Sequence, residues 1–473
     1  MRRLAAVLLL LLCPALAAAA RPVPASVRAA LAQAKLPASA VAILVEPVES
    51  GPPVLVHQIS VPMNPASVMK LVTTYAGLDI LGPAFRFRTD VLHTGELANG
   101  VLAGDLVLRG GGDPKLTYER LWQLAHLLRS RGVREIRGDV ILDRAYFAPA
   151  PADPGRFDQQ PRRAYNVAPD ALLVNFQAVD FTFAPDAGAV RVTAEPDLPD
   201  VRVVSRIKAT AEPCSWWRRD LRYDIDSSGA GATVVFSGTM AADCGEHSWP
   251  LAVLEGARFT ESTWRWVWSE AGGVLRGKVR DGATPAEAKT LLRFESEPLA
   301  NLVRDMNKYS NNVMARHIFL ALSAERGNPG RAEDSVHIVQ DWLRERGIVA
   351  PELVMENGSG LSREARISAA TLAAVLRSAW KSPVMPELMA SLPILSVDGT
   401  FKSWPVGPAS GHAHLKGGTL DDAKAMAGYI VDRQGRRWIV VMLVNHANAP
   451  AAQPAMDALA EWVYREAGPG GVR

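Results

Sequence analysis

The sequence predicts an α/β fold of the α+β type, in which an antiparallel sheet flanked by helices carries a mostly β insertion. Apolar runs at Val41–Val45 and Val54–His57 flank a Gly-Pro-Pro turn and predict a strand hairpin near the start. Three strands and a helix are predicted near the end, at Ala413–Lys416, Lys424–Val431, Trp438–Asn445 and Gln453–Ala467. Strands from both ends of the chain can therefore form one sheet.

The residue pattern changes in the middle of the chain, and the positions of this change give the predicted domain boundaries. Short β-type runs punctuated by Gly, Pro and Asp occupy residues 86–284 and predict a mostly β insertion, built as one unit or as two nested subdomains. Residues 21–85 and 285–473 would form the main domain, in which Ser67–Leu81 is apolar on nearly every side and predicts a buried helix. The chain has 473 residues, 48% of them hydrophobic, and is long enough for this division.

The first twenty residues, 1–20, have the pattern of a secretory signal peptide. Two arginines precede the apolar run Leu4–Leu12, and the small residues Ala15–Ala20 suit a signal peptidase. The apolar run is shorter than the ~20 residues of a membrane span, so we expect export to the periplasm and no span in the mature chain. A lipid-modified cysteine normally follows a small residue, and Leu12 argues against lipidation of Cys13.

Charge and cysteine content narrow the possible partners and the compartment. The formal net charge of +3, to which the two leader arginines contribute, leaves no basic field for nucleic acid. In an exported protein, Cys214 and Cys244 are expected to form a disulfide, with two buried free thiols as the alternative.

A serine and a lysine one helical turn apart form the first candidate catalytic pair. In Ser67-Val68-Met69-Lys70 the amine lies on the same helix face as the hydroxyl, where it can activate an otherwise weak nucleophile. The same spacing occurs at Ser205–Lys208, in a strand-like run, and at Ser378–Lys381, late on an amphipathic helix. Of the three serines, Ser67 begins a buried helix after a Pro-containing turn, where backbone N–H groups can stabilise negative charge.

Two further segments carry polar groups suited to the same chemistry. Ser310-Asn311-Asn312 falls at the junction of two predicted helices, where a hydroxyl can relay a proton and an amide can hold a substrate peptide group. Lys416-Gly417-Gly418-Thr419 ends a strand, where a cation can meet a carboxylate and glycines let substrate backbone approach. Taken separately, the first would be a helix cap and the second a surface lysine before a turn.

In this order the three segments match the S-x-x-K, S-D-N and K-T-G pattern of penicillin-binding proteins and β-lactamases. The chain resembles one family closely, the low-molecular-mass class C penicillin-binding proteins, which are D-alanyl-D-alanine carboxypeptidases and endopeptidases. The resemblance covers almost the whole mature chain and includes Gly100–Pro114, Gly138–Val140, Asn357–Arg363 and Asp398–Thr400. It implies a serine β-lactamase/transpeptidase-like main domain with extra domains inserted after the first motif, which β-lactamases do not have.

The resemblance implies a role for each motif residue. Ser67 is the acylated nucleophile, Lys70 the proton acceptor and Ser310 a proton relay. Asn312 contacts the substrate amide, and Lys416 binds the terminal carboxylate. The implied substrate is the D-alanyl-D-alanine end of peptidoglycan stem peptides, β-lactam antibiotics are implied as covalent inhibitors, and no cofactor is implied.

The resemblance also places an oxyanion hole at the backbone N–H groups of Ser67 and Thr419, and it exposes two departures. Asn311 stands where the family often has Asp, at a position whose side chain is expected to point away, so little effect follows. Gly417 replaces the threonine of K-T-G and removes a hydroxyl that would help grip the substrate carboxylate.

Three other patterns have structural explanations. His412 and His414 have no third ligand at a recognised spacing, so no metal site is predicted. The run Gly110–Gly112 leads to Asp-Pro rather than into a helix, so it predicts a turn and not a phosphate loop. Tryptophans at 216, 217, 264, 266 and 268 are expected to pack in the insertion, with stacking on glycan as the alternative.

Two other functions remain open at this point. A β-lactamase or an esterase could use the same Ser-Lys pair, although no segment resembles the class A deacylation loop and the long insertion argues against it. A peptidoglycan-binding protein with weakened catalysis is the third hypothesis, and Gly417 motivates it.

Overall fold

The structure is a computed structural model that describes residues 21–148, 153–186, 188–327 and 329–468. The predicted signal peptide, residues 1–20 including Cys13, lies outside the described residues. No helix in the described ranges is both long and apolar enough to cross a membrane.

Ten α-helices occur in the described ranges. They are α1 (Ala25–Gln33), α2 (Lys70–Ile80), α3 (Tyr118–Ser130), α4 (Gly256–Glu270), α5 (Leu299–Lys308), α6 (Asn312–Ala324), α7 (Ala332–Glu345), α8 (Ala369–Trp380), α9 (Met385–Ser391) and α10 (Gln453–Glu466).

Twenty strands occur in the same ranges. They are β1 (Val41–Pro47), β2 (Leu55–His57), β3 (Arg88–His93), β4 (Leu97–Ala98), β5 (Val101–Leu102), β6 (Leu106–Gly110), β7 (Glu135–Ile136), β8 (Val140–Asp143), β9 (Val179–Asp186), β10 (Ala189–Glu195), β11 (Val201–Thr210), β12 (Leu221–Asp226), β13 (Ala232–Ala241), β14 (His247–Leu251), β15 (Val274–Leu275), β16 (Val279–Asp281), β17 (Lys289–Glu295), β18 (Ala413–Thr419), β19 (Ala423–Val431) and β20 (Arg437–Asn445).

One antiparallel sheet joins the two ends of the chain, in the order β18-β19-β20-β1-β2. Side chains alternate along β1: Val41 and Ile43 pack with α1 and α10 on one face, while Ala42 and Leu44 pack with α2, α5, α6 and α8 on the other. Both faces are covered, which explains why these strands are continuously apolar. The predicted α+β fold with a sheet between helices is confirmed.

The insertion contains three further sheets and two long helices, α3 and α4. One of these sheets runs β16-β8-β6-β3-β17, and β17 pairs antiparallel with β3 through Phe294 opposite Thr89. Strand β17 ends at Glu295, so this sheet extends past residue 284, where the sequence interpretation ends the insertion. The short apolar run of β17 gave no signal of its pairing partner, because that partner lies about two hundred residues earlier.

The insertion is held by a disulfide and by tryptophan packing. Cys214 and Cys244, which were expected to pair, are disulfide-bonded. The alternating tryptophans lie on helix α4, where Trp264 and Trp268 are four residues apart and stack with ring centroids separated by 5.9 Å. Both are buried in the insertion core, which fits the packing explanation.

Candidate active site

A rigid turn presents Ser67 at the start of a buried helix. The Asn64 side chain accepts a hydrogen bond from the Ala66 N–H at 2.9 Å, and Asn445 of β20 bonds both the N–H and the carbonyl of Asn64. Ala66 has a φ of 46°, and a 3₁₀ turn over Ala66–Met69 leads directly into α2. These contacts fix the nucleophile candidate at the end of the central sheet.

Lys70 lies wholly buried behind Ser67. Its Nζ is 3.0 Å from Ser67 Oγ, 2.7 Å from Asn312 Oδ1 and 2.6 Å from the Ser359 carbonyl oxygen. The amine therefore touches the hydroxyl it would deprotonate and is held in place by two further acceptors, which is the geometry that nucleophile activation requires.

Electrostatics favour the neutral amine at Lys70. Burial, followed by the positive charges of Lys416 and Arg316, lowers the Lys70 pKa well below 10.5. Arg316 lies one helical turn after Asn312 on α6 and is half-buried, and its partial removal from water lowers its pKa to about 10. An amine whose charged form is disfavoured by burial and by neighbouring cations is suited to act as a base.

Ser310 stands in a strained junction between α5 and α6. Its φ is 55°, in the left-handed region that non-glycine residues rarely adopt. The junction is fixed by Asn311, whose Oδ1 caps α6 by accepting the Met314 N–H at 3.0 Å, and by Lys308, which pairs with Asp398 at 2.6 Å. The strain is therefore supported by contacts on both sides, as is common at functional sites.

Lys416, on strand β18, contacts the junction between α5 and α6. Its Nζ, fully buried, donates to Ser310 Oγ at 2.9 Å, and burial lowers the Lys416 pKa to about 7. On the same strand face, a Cβ at Gly418 would lie 2.8 Å from the Ser67 nitrogen, so only glycine allows the strand to approach the nucleophile this closely. Thr419 follows as an exposed residue at the strand end.

Gly417 faces the other side of β18. Its φ lies outside the left-handed region, and a Cβ there would stand 3.1 Å from a ring carbon of Phe401. The buried Phe401 ring therefore occupies the space beside position 417, and the expected effect of the missing threonine hydroxyl stays a prediction.

The structure brings together five of the predicted site residues: Ser67, Lys70, Ser310, Asn312 and Lys416. The other two serines with the Ser-x-x-Lys spacing make contacts elsewhere. Ser205 Oγ donates to the Val190 carbonyl on a neighbouring strand, and Ser378 Oγ lies 3.0 Å from the Tyr75 hydroxyl.

The histidine pair and the one potential metal cluster also lie elsewhere. His412 packs against Tyr464, with ring centroids 4.9 Å apart, and His414 lies on β18. Among the described residues, one group of three potential metal-ligand side chains occurs, formed by Cys214, Asp243 and Cys244, and its two sulfurs are committed to the disulfide.

Sequence reasoning missed two parts of the site. Ser359 contributes its carbonyl, and the loop around it is pressed against the nucleophile turn, because a Cβ at Gly360 would lie 1.9 Å from the Ala66 oxygen. The positive φ of Gly358 and Gly360 makes the Asn-Gly-Ser-Gly segment a tight turn, a signal that could have pointed to a close backbone approach. No sequence pattern pointed to Arg316, because its effect on the Lys70 pKa depends on where the folded chain places it.

The chain matches a known protein family over most of its length. The profile of the D-Ala-D-Ala carboxypeptidase 3 (S13) family matches residues 23–466. The chain belongs to this family of serine peptidases. The match confirms the resemblance drawn from the three motifs.

Individual relatives cover most of the chain. A D-alanyl-D-alanine carboxypeptidase from an Actinomadura strain is 27% identical over 429 residues, covering 85% of this chain and 77% of the relative. The D-alanyl-D-alanine carboxypeptidase DacB of Haemophilus influenzae is 25% identical over 398 residues, covering 81% and 80%. The crystal structure of penicillin binding protein 4 from the same organism has the same fold, with a TM-score of 0.76, 23% identity and coverage of 92% of this chain and 98% of that one.

Proposed function

We propose that this chain hydrolyses the D-alanyl-D-alanine end of peptidoglycan stem peptides, and D-alanyl cross-links between them, through an acyl-enzyme on Ser67. The observation that carries the proposal is the contact of Lys70 Nζ with Ser67 Oγ at 3.0 Å, beside a second lysine, Lys416, that reaches Ser310 Oγ at 2.9 Å. This arrangement supplies a base, a nucleophile, a proton relay and a cation for the terminal carboxylate.

Acylation begins when neutral Lys70 takes the proton of Ser67, and Oγ attacks the carbonyl carbon of the penultimate D-alanine. The backbone N–H groups of Ser67 and Thr419 receive the developing oxyanion, while Asn312 holds the substrate amide. Lys416 binds the terminal carboxylate and thereby orients the scissile bond.

Collapse of the tetrahedral intermediate breaks the C–N bond, and the leaving amine takes a proton delivered through Ser310. The acyl-enzyme is then attacked by water, whose proton passes to Lys70, and release of the shortened peptide restores the Ser67 hydroxyl. A β-lactam bearing an equivalent carboxylate would acylate Ser67 by the same first step.

Three further parts of the proposal concern organisation and place. The disulfide between Cys214 and Cys244 supports export to an oxidising compartment such as the periplasm. The catalytic domain would comprise residues 21–85 and the chain after about residue 295, since β17 belongs to an insertion sheet. Peptidoglycan stem peptides and β-lactams are the proposed partners.

Labelling with a fluorescent penicillin tests the assignment. We expect stable labelling of the unaltered protein and none of Ser67→Ala, while Ser205→Ala and Ser378→Ala, which carry the same Ser-x-x-Lys spacing, remain labelled. Circular dichroism of Ser67→Ala should match the unaltered protein. Rapid turnover of the penicillin would instead indicate a β-lactamase, and absence of labelling would indicate a binding protein.

Mass spectrometry of products then separates the two peptidase activities. A disaccharide-pentapeptide should lose one D-alanine, and a cross-linked dimer should yield two monomers. Failure of both substrates with a labelled enzyme would contradict the proposed substrate class while leaving the serine chemistry in place.

A further inference from the structure

One side of helix α6 is covered by the insertion. Insertion residues 165–171, the bracing segment, run beside the helix, and the contacts follow the same order along both. Asn312 Nδ2 donates to the Tyr165 carbonyl at 3.5 Å, and Arg316 Nη1 donates to the Val167 carbonyl at 3.2 Å. The first turn of α6, which carries Asn312, is therefore bonded to the insertion.

The buried His317 uses both of its ring nitrogens on the insertion. Its Nδ1 lies 2.9 Å from the Gly112 carbonyl oxygen, and its Nε2 accepts the Asp170 N–H at 3.3 Å. A neutral ring with its proton on Nδ1 satisfies both partners, since it donates to one and accepts from the other. Burial lowers the His317 pKa to about 4, so the ring keeps this neutral form above that pH.

Apolar packing extends the contact to the end of α6. Phe147 of the insertion meets the His317 ring edge-on, with ring centroids 5.4 Å apart. Ala171 of the bracing segment joins the same buried cluster as Phe147, together with Leu320 and Ala324 of α6. The insertion therefore contacts the helix from its first turn to its last.

The bracing segment is itself held within the insertion. The Asp170 carboxylate pairs with the buried side of Arg144, and the Gly112 N–H donates to the Ala171 carbonyl at 2.8 Å. The two insertion loops that contact His317 are thus bonded to each other. Such a support can fix the helix that packs on it.

The position of α6 bears directly on the site, because its first residue contacts the candidate base. Asn312 Oδ1 accepts a hydrogen bond from Lys70 Nζ at 2.7 Å. A shift of α6 would carry this amide away from Lys70. Misplacement of a catalytic group by about 1 Å can cost about 10²-fold in rate.

We propose that His317 is a positioning residue through which the insertion holds α6, and with it the Asn312 amide, against Lys70. The inference rests on the proposed function and deepens it, because it assigns the insertion a part in acylation. His317 would act through Asn312, so the loss of its ring should slow acylation only while the Asn312 amide is present.

A double-mutant cycle, followed by the rate of acylation at saturating fluorescent penicillin, tests the inference. His317→Leu removes both ring nitrogens and should slow acylation about tenfold. Asn312→Ala should slow it about hundredfold. Adding His317→Leu to Asn312→Ala should then cost less than about twofold more, because the group being positioned is already gone.

Two milder variants test the same contact. His317→Asn keeps an N–H donor for the Gly112 carbonyl and should retain acylation within about threefold of the unaltered protein. Phe147→Leu perturbs the His317 ring from the insertion side and should slow acylation about threefold, but not in the Asn312→Ala background. Phe147→Leu keeps the test decisive if His317→Leu does not fold.

Leu322→Ala is the matched control for loss of stability. Leu322 is buried on the same helix but packs in the core of the main domain. Its truncation should lower the melting temperature and leave acylation by the folded protein within about twofold. Hydrogen exchange in the bracing segment should become faster in His317→Leu and stay unchanged in Leu322→Ala.

The outcomes separate this inference from the proposed function. Equal losses with and without the Asn312 amide would overturn the positioning role, as would unchanged acylation in His317→Leu, even if penicillin labels the unaltered protein normally. Absence of labelling in the unaltered protein would instead overturn the proposed function.

Discussion

Two buried lysines with opposite required charges should give this enzyme a bell-shaped pH profile. In the proposed mechanism, Lys70 must be neutral to accept the Ser67 proton, whereas Lys416 must be charged to bind a carboxylate. Burial lowers the Lys416 pKa to about 7, and burial together with the charges of Lys416 and Arg316 lowers the Lys70 pKa well below 10.5. Since Lys70 has both causes, it should lose its proton first, and kcat/KM should rise and then fall around neutral pH.

The structure sets the size of the effect on the falling limb. The change at Lys416 from 10.5 to about 7 corresponds to about 5 kcal/mol for charging a buried amine. A bound carboxylate returns about 1.5–3 kcal/mol through a charge-assisted hydrogen bond. The Lys416 pKa should therefore rise by roughly one to two pH units in the complex, so kcat should fall at a pH that much higher than kcat/KM.

The assay is release of D-alanine from a pentapeptide between about pH 5 and 10, with circular dichroism at each pH to verify folding. Lys416→Met should abolish the falling limb and move the rising limb to higher pH, because Lys70 loses a neighbouring cation. The exposed Lys402→Met is the matched control and should leave both limbs in place. A flat profile in the unaltered enzyme, or a rising limb that Lys416→Met does not move, would refute the reasoning.

Three further predictions concern positions outside the catalytic residues. Gly417→Thr should slow penicillin acylation, because a Cβ at this position already lies 3.1 Å from the Phe401 ring, whereas the smaller Gly417→Ala should be tolerated. Adding Phe401→Leu to Gly417→Thr should recover the acylation rate. A faster rate with Gly417→Thr alone would contradict this prediction. Gly360→Ala should slow acylation at least about tenfold and lower the melting temperature, because a Cβ there would strike the Ala66 oxygen; unchanged acylation and melting would show that the loop moves freely. Cys214→Ser should lower the free energy of unfolding by about 3–4 kcal/mol in denaturant titration, yet leave acylation by a small penicillin intact; equal stability would mean that the unfolded state is not restrained by the bond.

The local parts of the site were predictable because they depend on spacing alone. Ser67 and Lys70 share a helix face by their separation of three residues, and the α5–α6 junction at Ser310 is marked by the end of one amphipathic run and the start of another. Contacts between segments were not predictable. That Lys70 is held by the carbonyl of Ser359 depends on packing of a distant loop, which a single sequence does not encode visibly.

In the insertion, neither the spacing of the tryptophans nor the pairing of distant strands could be interpreted correctly from the sequence alone. Tryptophans at every second position suggest a strand. In the structure they lie on helix α4, where Trp264 and Trp268 are one helical turn apart and their buried rings stack, so tertiary packing favours the helix. The pairing of β17 with β3 joins segments about two hundred residues apart, and no local pattern in the sequence indicates it.

The two departures from the family pattern have different physical consequences. Asn311 caps α6 through its Oδ1, a bond that an aspartate would also make, so the replacement keeps the junction and adds no negative charge near Lys70. At Gly417 the neighbouring space is filled by Phe401, which packs on Trp404 at 4.3 Å, and no hydroxyl is offered there. Carboxylate binding would then depend chiefly on Lys416, whose pKa of about 7 makes its charge depend on the carboxylate itself. A substrate without that carboxylate would leave Lys416 largely neutral above pH 7. A substrate with the carboxylate would favour the protonated form of Lys416, and the enzyme would therefore select substrates that carry a terminal carboxylate.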